Sequence, residues 1–448
     1  MDSSVAHIFK AYDIRGKVGT ELTVALAENI GRAIAQWLPN EGAVAVGRDM
    51  RPDSEELAQA MIKGLRAGGR DVQDVGLISS DMIYFAVASQ NLAGGAMITA
   101  SHNPGEYNGI KICREEARPV GLESGLDEIR DLALAGTFAG AAVPGMLTKM
   151  NVTEDWIKHT LSFIDPTKLT ALKLGVDAGN GMAGAIFPSL EKHVPWQISE
   201  MFFELDGTFP NHEANPLKFE TLTDLIKNIQ DNKLDGGMAF DGDADRAFLV
   251  DETGVPLTGG VMSAMLADYF LGQFPGAAIV YDARNSHGVI DVINERGGKP
   301  VIARVGHAYI KKAMRDYDAP FGGEASGHFY FRDNWYADSG LIAAVIGIYV
   351  ATLSGKTLSE LRQLYTRYAA IPETNFEVID KDDTIAKITE AFPEGKHDTL
   401  DGLTVSFDDG SWFNVRASNT EPLLRLNAEA KDQATLDQLV SRITALIA

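Results

Sequence analysis

Three aspartates alternate with small residues in one short stretch: Asp241, Asp243 and Asp245, followed directly by Arg246. Short apolar runs flank the stretch on both sides, and we interpret them as strands. Carboxylates this close together repel one another, and Gly242 lets the chain turn so that they can converge on one point. A hard divalent cation would remove the repulsion, and Mg²⁺ is the ion we expect. An EF-hand is rejected because Arg246 stands where that loop needs glycine.

A second stretch, residues 99–104 (TASHNP), follows the apolar run 95–98. A strand that ends in small and hydroxyl-bearing residues before a proline turn predicts Ser101 exposed at the C-terminal edge of a sheet. Open α/β sheets bind their ligands at that edge. His102 is poorly placed to act as a base for its own neighbour, and no G-x-S-x-G spacing occurs, so a serine hydrolase is disfavoured. A mere turn-capping role for Ser101 stays open at this point.

Two further loops carry groups that suit sugars and phosphates. Residues 322–328 (GGEASGH) combine a glutamate, a serine and a histidine between glycines, which offers acceptors and a switchable donor to hydroxyl groups. Residues 416–422 (RASNTEP) concentrate a guanidinium, two hydroxyls and an amide, with Arg425 beyond, and these donors match a phosphate dianion. Each loop alone could be an ordinary polar turn. Together, the four stretches describe a phosphorylated hydroxyl, a metal, a reader of sugar hydroxyls and a distal phosphate clamp.

The elements that must position these loops alternate between short apolar strands and amphipathic helices. Three apolar runs, 43–46, 172–176 and 277–281, each end in a polar turn that leads into a helical segment. This is the βα unit of a mostly parallel sheet. Glycine pairs at 68–69 and 297–298 close a helix before a strand in the same way, which indicates repeated α/β domains.

The predicted fold class is therefore α/β, with three related α/β domains of mixed, mostly parallel sheets and a small α+β domain at the C-terminus. The length of 448 residues is compatible with three domains or four small ones. We predict domain I at 1–148 with the serine, domain II at 149–251 with the aspartates, domain III at 252–368 with the sugar loop and domain IV at 369–448 with the phosphate loop.

Composition excludes several classes of function. The formal net charge is −22, so the chain repels nucleic acid and anionic lipid at long range, although converging cations or a metal can still bind a small anion. One cysteine, Cys113, permits neither an internal disulfide nor a multi-cysteine zinc site. The N-terminus shows no signal-peptide pattern, and the apolar run 341–353 is too short to span a bilayer. We expect a cytoplasmic protein that binds neither nucleic acid nor membrane.

With these stretches in this order, the chain resembles the α-D-phosphohexomutase family and, within it, the bacterial phosphomannomutase/phosphoglucomutase group. The resemblance covers essentially the whole chain, from residues 10–16 (KAYDIRG) to the loop 416–422. It implies four domains around one central cleft and a Mg²⁺-dependent interconversion of hexose 1-phosphate and hexose 6-phosphate, of mannose, glucose or both. A phosphoserine carries the phosphoryl group, and hexose 1,6-bisphosphate is activator and intermediate. We expect a monomer or a weak homodimer.

The resemblance also implies roles for individual residues. The phosphoserine and the metal ligands would be Ser101, Asp241, Asp243 and Asp245. The readers of sugar hydroxyls would be Glu324, Ser326 and His328, and the distal phosphate clamp would be Arg416, Ser418, Asn419 and Thr420. Further active-site positions are matched by Tyr12, Arg15, Lys111, Arg246, Arg284 and His307. Lys111, Arg15 and His328 are the candidates for general acid and base, and Arg246 or Lys111 would share the developing charge.

Three alternatives remain. A haloacid-dehalogenase-like phosphotransferase would use Asp241 as nucleophile, but that motif usually has Thr or Val where Asp245 stands. A phosphoglucosamine mutase of the same family is weakly disfavoured by Ala325, where those enzymes often have Gln. A noncatalytic sugar-phosphate sensor would not need Ser101 together with all three aspartates. The choice between mannose and glucose is open.

Overall fold

The computed structural model describes residues 3–138, 140–417 and 423–447. The chain forms two compact units. The first unit consists of Met1–Leu257 and Gly327–Ser359, and the second of Thr258–Ser326 and Glu360–Ala448. The chain therefore leaves the first unit, returns to it between Ser326 and Gly327, and leaves it again after Ser359.

A mixed seven-stranded sheet forms the beginning of the first unit. Its elements, in chain order, are β1 (Ile14–Lys17), α1 (Val24–Trp37), β2 (Val44–Arg48), α2 (Ser54–Ala67), β3 (Val72–Leu77), α3 (Ser80–Ser89), β4 (Gly94–Ile98), β5 (Tyr107–Arg114), β6 (Arg118–Pro119), α4 (Leu126–Ala135) and β7 (Leu147–Lys149). The strand order is β1-β5-β4-β2-β3-β7, with β6 beside β5. β2 pairs in parallel with β3 and β4, whereas β5 runs antiparallel to its neighbours. Every residue of β4 is buried, as expected for a strand in the middle of the sheet.

A four-stranded sheet follows in the same unit. Its elements are α5 (Thr153–Leu161), β8 (Lys173–Asp177), α6 (Ala183–Glu191), β9 (Gln197–Met201), α7 (Thr223–Asn232), β10 (Gly236–Phe240) and β11 (Ala247–Asp251). The order is β11-β10-β8-β9, in which β8 is parallel to both β9 and β10. β10 and β11 are antiparallel, and the connection between them carries the three aspartates.

The next elements belong to the second unit, except for one excursion. They are α8 (Gly259–Gln273), β12 (Ala278–Asp282), α9 (His287–Glu295), β13 (Lys299–Ala303), α10 (His307–Tyr317) and β14 (Phe321–Gly323). β12 pairs in parallel with β13 and with β14. The excursion, β15 (Phe329–Phe331) and α11 (Gly340–Ser354), lies in the first unit.

An antiparallel sheet with two helices ends the second unit. After α12 (Leu358–Tyr365), its elements are β16 (Ala369–Ala370), β17 (Thr374–Glu377), α13 (Lys381–Ala391), β18 (Lys396–Asp398), β19 (Leu403–Ser406), β20 (Trp412–Ala417), β21 (Leu423–Ala430) and α14 (Gln433–Ile447). The order is β16-β21-β20-β19-β18, and β17 also pairs with β21. Three helix-flanked sheets with parallel strands and one antiparallel C-terminal sheet are the architecture that the sequence predicts.

The apolar run 341–353 forms α11, and nearly all of that helix is buried. It ends at Gly355, which adopts the left-handed conformation with φ of 64°. Within the described residues, no helix taken singly has the length and apolarity to cross a membrane. Only α11 and α12 together pass that test, and they are bent by 97° at the break.

The loops with chemical groups leave the carboxyl ends of strands. The serine stretch 99–104 follows β4, the aspartates follow β10, and Glu324 follows β14. Arg284 stands just beyond the end of β12. In open α/β sheets this edge is where ligands bind, because backbone N–H groups and helix starts face it.

Candidate active site

Ser101 lies beside the aspartates of the first unit. Its Oγ donates to Oδ2 of Asp241 across 3.0 Å, and the Thr99 hydroxyl accepts from the Ser101 N–H at 2.9 Å. The φ of Ser101 is +53°, which is uncommon for a residue with a side chain and is a form of strain that clusters at functional sites. The serine side chain is thus directed at a carboxylate and does not simply cap its own turn.

The expectation that Ser101 is exposed was wrong. Ser101 is only 3% exposed, because the aspartate loop, residues 241–245, covers it. The two loops approach so closely that a Cβ on Gly242 would lie 2.6 Å from the carbonyl oxygen of Ser101. The left-handed residue of the aspartate loop is Ala244, with φ of 59°, and Gly242 lies outside that region. Gly242 is therefore required by the close approach of two backbones.

The aspartate loop could hold a metal ion. One oxygen from each of Asp241, Asp243 and Asp245 lies within 4.8 Å of the others, and all three residues are buried. Oδ1 of Asp243 and Oδ1 of Asp245 are buried without a hydrogen-bond partner among the described residues. Buried, unpartnered carboxylate oxygens are costly unless a cation binds them. With the hydroxyl of Ser101 beside them, they form an all-oxygen donor set of the kind that hard divalent cations prefer.

Two cations partly balance these carboxylates. Lys111, on β5, donates to Oδ2 of Asp243 at 2.7 Å and to Oδ2 of Asp245 at 2.5 Å. Arg246 donates through Nε to Oδ2 of Asp241 at 2.8 Å. Burial lowers the pKa of Lys111, but Asp243 and Asp245 outweigh it and raise that pKa well above its ordinary value. Lys111 is therefore protonated, and three carboxylates face two fixed positive charges.

Asp241 and Asp245 respond differently to the same burial. Burial raises the pKa of Asp241 against the pull of Arg246. Burial also acts to raise the pKa of Asp245, but Lys111 and His328 outweigh it and hold that pKa below its usual value. The charged form is thus stabilised at Asp245 and disfavoured at Asp241, the carboxyl beside the hydroxyl of Ser101.

His102 does not act as a base for Ser101 in this arrangement. Its Nδ1 lies 3.1 Å from Oγ of Ser101 but also faces Nη2 of Arg246. The charge of Arg246, with burial, lowers the pKa of His102 well below its ordinary value. His102 is therefore neutral, and its Nδ1 lone pair is available to the guanidinium. The prediction from sequence that His102 is poorly placed relative to Ser101 was wrong, because the turn brings Nδ1 within hydrogen-bond distance of Oγ.

Arg15 and Tyr12 belong to the N-terminal part of the first unit. Arg15, on β1, donates through Nη1 to Oδ1 of Asn103 at 2.5 Å and through Nε to Asp13 at 2.8 Å. Arg15 therefore supports the serine stretch 99–104 directly. Tyr12 lies just before β1 and is partly exposed.

His328 lies beside two acidic residues of the first unit. Its Nδ1 lies 3.1 Å from Asp338 and 3.8 Å from Asp245, both in the first unit. Burial lowers the pKa of His328, but Asp245 and Asp338 raise it overall. One ligand atom from each of these three residues lies within 4.8 Å of the others, so Asp245 is shared by two acidic groups. Glu324 and Ser326 belong to the second unit, because the chain passes between the units just before Gly327.

The sugar loop of the second unit is tied to the end of β12. Ser326 donates to Glu324 at 3.0 Å, and Nη2 of Arg284 lies 3.8 Å from the same carboxylate. Asp282 is fully buried and accepts from Nε of Arg284 at 3.0 Å and from the N–H of Ala325 at 3.1 Å. Asp282 therefore fixes both the guanidinium and the loop. His307 begins α10 in the same unit.

The predicted phosphate clamp is described in part. Arg416 on β20 and Arg425 on β21 are direct cross-strand partners. Glu373 lies 3.9 Å from Arg416 and 3.4 Å from Arg425. Ser418, Asn419 and Thr420 lie outside the described residues. The structure thus brings two clamp arginines to one carboxylate.

Four known domain families match the chain in succession. They are the α/β/α domains I, II and III of phosphoglucomutase/phosphomannomutase, at residues 6–139, 154–254 and 258–368, and the C-terminal domain at 373–446. The chain belongs to the phosphoglucomutase/phosphomannomutase family. The predicted resemblance and the four-domain fold are thereby confirmed, and the class of enzyme is an intramolecular phosphotransferase, an isomerase.

Relatives of this family match over nearly the full length. A protein of Xanthomonas campestris pv. campestris named phosphohexose mutases is 40% identical over 444 residues, 98% of this chain and 98% of the relative. A phosphomannomutase of Vibrio cholerae is 40% identical, again over 98% of both chains. The crystal structure of a phosphoglucomutase/phosphomannomutase family protein from Burkholderia thailandensis superposes with a TM-score of 0.91 at 31% identity, covering 100% of this chain and 97% of that one.

Sequence reasoning missed Arg51 in this phosphoglucomutase/phosphomannomutase family member. The side chain is buried and donates to four backbone carbonyls around the serine: Ser101 at 2.9 Å, Asn103 at 2.6 Å, Pro104 at 2.9 Å and Tyr107 at 2.8 Å. The available signal was a charged residue two positions beyond Asp49, after the strand end at 47–49. Asp338 and Glu373 were missed as well, because no local pattern marks either of them.

Proposed function

We propose that this chain interconverts hexose 1-phosphate and hexose 6-phosphate through a phosphorylated Ser101, with mannose and glucose as the candidate sugars. The observation that carries the proposal is the position of Ser101 Oγ, 3.0 Å from Asp241 in a buried cluster of carboxylates and cations. The names of the relatives, phosphohexose mutases and phosphomannomutase, support the same reaction.

In the first half-reaction, the free hydroxyl of a hexose monophosphate attacks the phosphorus of phospho-Ser101. The new O–P bond forms as the bond to Ser101 Oγ breaks, and the hydroxyl proton passes to a protein group. Lys111, Arg15 and His328 are proposed together for the proton steps, with no order among them. Arg246 and Lys111, already fixed at the carboxylates, stabilise the charge that develops on the transferring group. The second half-reaction returns the other phosphoryl group of the bisphosphate to Ser101.

We propose Mg²⁺ as the ion that Asp241, Asp243 and Asp245 hold, with an oxygen of Ser101 or of its phosphate as a further ligand. The unpartnered carboxylate oxygens of Asp243 and Asp245 support this assignment. When bound, such an ion supplies positive charge to the oxygens of the phosphoryl group.

The residues proposed for substrate binding suit a molecule that must be held in either direction. Glu324 and Ser326 present a carboxylate and a hydroxyl, and the 3- and 4-hydroxyls of a hexose can exchange places when the 1,6-bisphosphate turns. The distal phosphate is assigned to cations and hydroxyls that need not distinguish the two ends. The proposed contacts for substrate, besides the sugar loop, are Tyr12, Arg284, His307, His328, Arg416, Ser418, Asn419, Thr420 and Arg425.

The test is an intact-mass measurement with matched serine variants. Wild type, Ser101→Ala and Ser162→Ala are incubated with glucose 1,6-bisphosphate and Mg²⁺, and Ser162 serves as the control because it is an exposed serine. We expect one phosphoryl adduct on wild type and on Ser162→Ala, and none on Ser101→Ala. Excess glucose 1-phosphate should then remove the adduct while glucose 6-phosphate appears.

Other outcomes identify the alternatives. An adduct that persists in Ser101→Ala and disappears in Asp241→Asn would make Asp241 the nucleophile. Binding of glucose 1-phosphate with neither adduct nor product would indicate a sensor. Comparing kcat/KM for mannose 1-phosphate, glucose 1-phosphate and glucosamine 1-phosphate decides between the sugars, including the phosphoglucosamine alternative.

The remaining predictions from sequence stand as proposals. We propose the domain bounds 1–148, 149–251, 252–368 and 369–448, a cytoplasmic location, and a monomer or weak homodimer that binds neither nucleic acid nor membrane. Light scattering over a range of protein concentrations tests the state of assembly, and a weak homodimer would appear as a mass that rises with concentration.

A further inference from the structure

Glu373 is held among three arginines that come from different parts of the second unit. Its carboxylate lies 3.4 Å from Nη1 of Arg284, 3.4 Å from Nη1 of Arg425 and 3.9 Å from Nη2 of Arg416. We call these three residues the arginine cluster. Asn427 also donates to Glu373 at 3.4 Å. The glutamate lies one residue before β17, and its side chain is 28% exposed, so solvent and small anions can reach it.

The contacts of Glu373 are those of a shared counter-ion. Charge-assisted hydrogen bonds between guanidinium and carboxylate are usually about 2.7–2.9 Å long and often bidentate. All three distances between Glu373 and the arginines are longer than this. No single arginine binds the carboxylate through two short hydrogen bonds. Nε of Arg425 is buried and has no hydrogen-bond partner within the described residues. The arginine cluster therefore keeps donor capacity for a further anion.

Glu373 is the one carboxylate within 4 Å of all three arginines among the described residues. Other carboxylates each face a single arginine: Asp282 and Glu324 lie beside Arg284, and Asp401 lies beside Arg416. Burial acts to raise the pKa of Glu373, but Arg284 and Arg425 outweigh it and lower that pKa, so the carboxylate stays ionised. Without the charge of Glu373, the arginine cluster would be more positive by one unit and would attract a phosphate dianion more strongly.

We propose that Glu373 is a positioning residue that weakens the hold of the arginine cluster on the substrate's distal phosphate. It does so as a resident anion that competes for the same guanidinium donors. The inference rests on the proposed function, in which a bisphosphate must be released by its distal phosphate and bound again by the other one. Without a competing anion, the arginine cluster would release the distal phosphate too slowly for that exchange. Tight binding of the phosphate both before and after phosphoryl transfer does not accelerate turnover.

The experiment compares Glu373→Gln, Glu373→Asp and the control Glu377→Gln in the full-length protein. Glu377 is an exposed glutamate on β17, four residues further along the chain. The probe for binding is inorganic phosphate, measured by calorimetry and as inhibition of the mutase reaction with glucose 1-phosphate. We expect Glu373→Gln to tighten phosphate binding about tenfold, because the carboxylate that competes for the guanidinium donors has been removed. KM and kcat should both fall, because the substrate binds more tightly and is released more slowly. Glu373→Asp should restore most of the wild-type behaviour, and Glu377→Gln should change nothing.

A charge-matched double variant keeps the test decisive. Arg425→Gln alone should weaken phosphate binding, and Arg425→Gln with Glu373→Gln should return the phosphate affinity towards that of wild type. Thermal unfolding shows whether Glu373→Gln is folded. If it is folded and binds phosphate no more tightly than wild type, the inference is overturned. If Glu373→Gln alone does not fold, the double variant is compared with Arg425→Gln alone, and phosphate binding by the double variant that is no tighter would overturn the inference.

Failure of this inference is distinct from failure of the proposed function. The phosphoryl adduct on Ser101 reports on the first unit and does not depend on Glu373. An adduct on Ser101 in all these variants, together with an unchanged phosphate affinity, would remove the role of Glu373 and leave the mutase reaction standing. A missing adduct in wild type would remove the reaction itself.

Discussion

The hydroxyl of Ser101 donates to the carboxylate of Asp241 across 3.0 Å, although 140 positions separate the two residues in the chain. The contact joins the loop that follows β4 to the loop that follows β10, so both sheets of the first unit contribute to one cluster. The backbone of Gly242 lies against the carbonyl of Ser101 at this junction. The position of the serine hydroxyl therefore depends on how closely two loops can approach.

Gly242→Ala should separate these loops. The added Cβ would meet the Ser101 carbonyl oxygen at 2.6 Å, so one backbone must move. A misplacement of about 1 Å at a reacting group can cost roughly 10²-fold in rate. We expect a loss of that size in kcat/KM and in the rate of Ser101 phosphorylation by glucose 1,6-bisphosphate. Gly272→Ala, where nothing lies within 4 Å of the new Cβ, is the control and should retain full activity. Full activity in Gly242→Ala would contradict the close approach.

Arg51→Lys should impair phosphorylation of Ser101 without unfolding the protein. Lysine keeps the charge, but its single ammonium cannot reach four carbonyls that the planar guanidinium binds from one side. We expect kcat to fall roughly tenfold to a hundredfold, because the serine backbone loses its support. Arg118→Lys changes an exposed arginine in the same sheet and should have no effect.

Arg51→Met tests the buried charge beneath that support. Asp49 lies 3.3 Å from Nε of Arg51, and both side chains are almost fully buried. Removing one partner of a buried ion pair costs about 3–5 kcal/mol, because the other charge remains without compensation. Urea denaturation should show a loss of this order for Arg51→Met and a much smaller one for Arg51→Lys. Equal stability of the two variants would mean that the pair does not act as described.

Lys111→Met should make the stability of the protein depend more strongly on Mg²⁺. The variant leaves Asp243 and Asp245 without their shared cation, which costs about 3–5 kcal/mol in metal-free protein. A divalent cation bound to the same carboxylates supplies the missing charge. The difference in Tm between Mg²⁺ and EDTA should therefore be larger for Lys111→Met than for wild type. The same difference should be smaller for the single variant Asp243→Asn than for wild type. An identical Mg²⁺ effect in all three proteins would argue against a metal at this cluster.

His212 should contribute stability that is lost at alkaline pH. Its Nε2 lies 3.0 Å and 3.2 Å from the two oxygens of Asp177. Burial lowers the pKa of His212, but the hydrogen bond and charge of Asp177 raise it overall. A raised histidine pKa means that its stabilisation is fully present below about pH 6.5, the unfolded value, and is lost as the pH rises through the folded value. Urea denaturation across that window should show this loss in wild type. His193 is exposed, and His193→Gln should show the same loss of stability with rising pH. His212→Gln should not show it.

Much of the site could be predicted because its groups are close in sequence. Asp241, Asp243 and Asp245 sit in one short connection between two strands, so covalent geometry alone keeps their carboxylates together. The loops after β4, β10 and β14 could be placed at strand ends from the pattern of apolar runs and polar turns. The order of the four stretches identified the family, and the matching domain families confirm it.

The sequence by itself thus determined the fold class, the family and the local chemistry of each loop, because strand ends, turns and alternating carboxylates are set over a few residues. The tertiary structure alone decided that Ser101 is buried beneath Gly242, that His328 lies beside Asp245 and Asp338, and that Arg51 supports the serine backbone. It also decided that Glu373 lies among three arginines. These relationships join positions far apart in the chain. They depend on which surfaces pack together and on which charges then lose their water, and no local pattern records either.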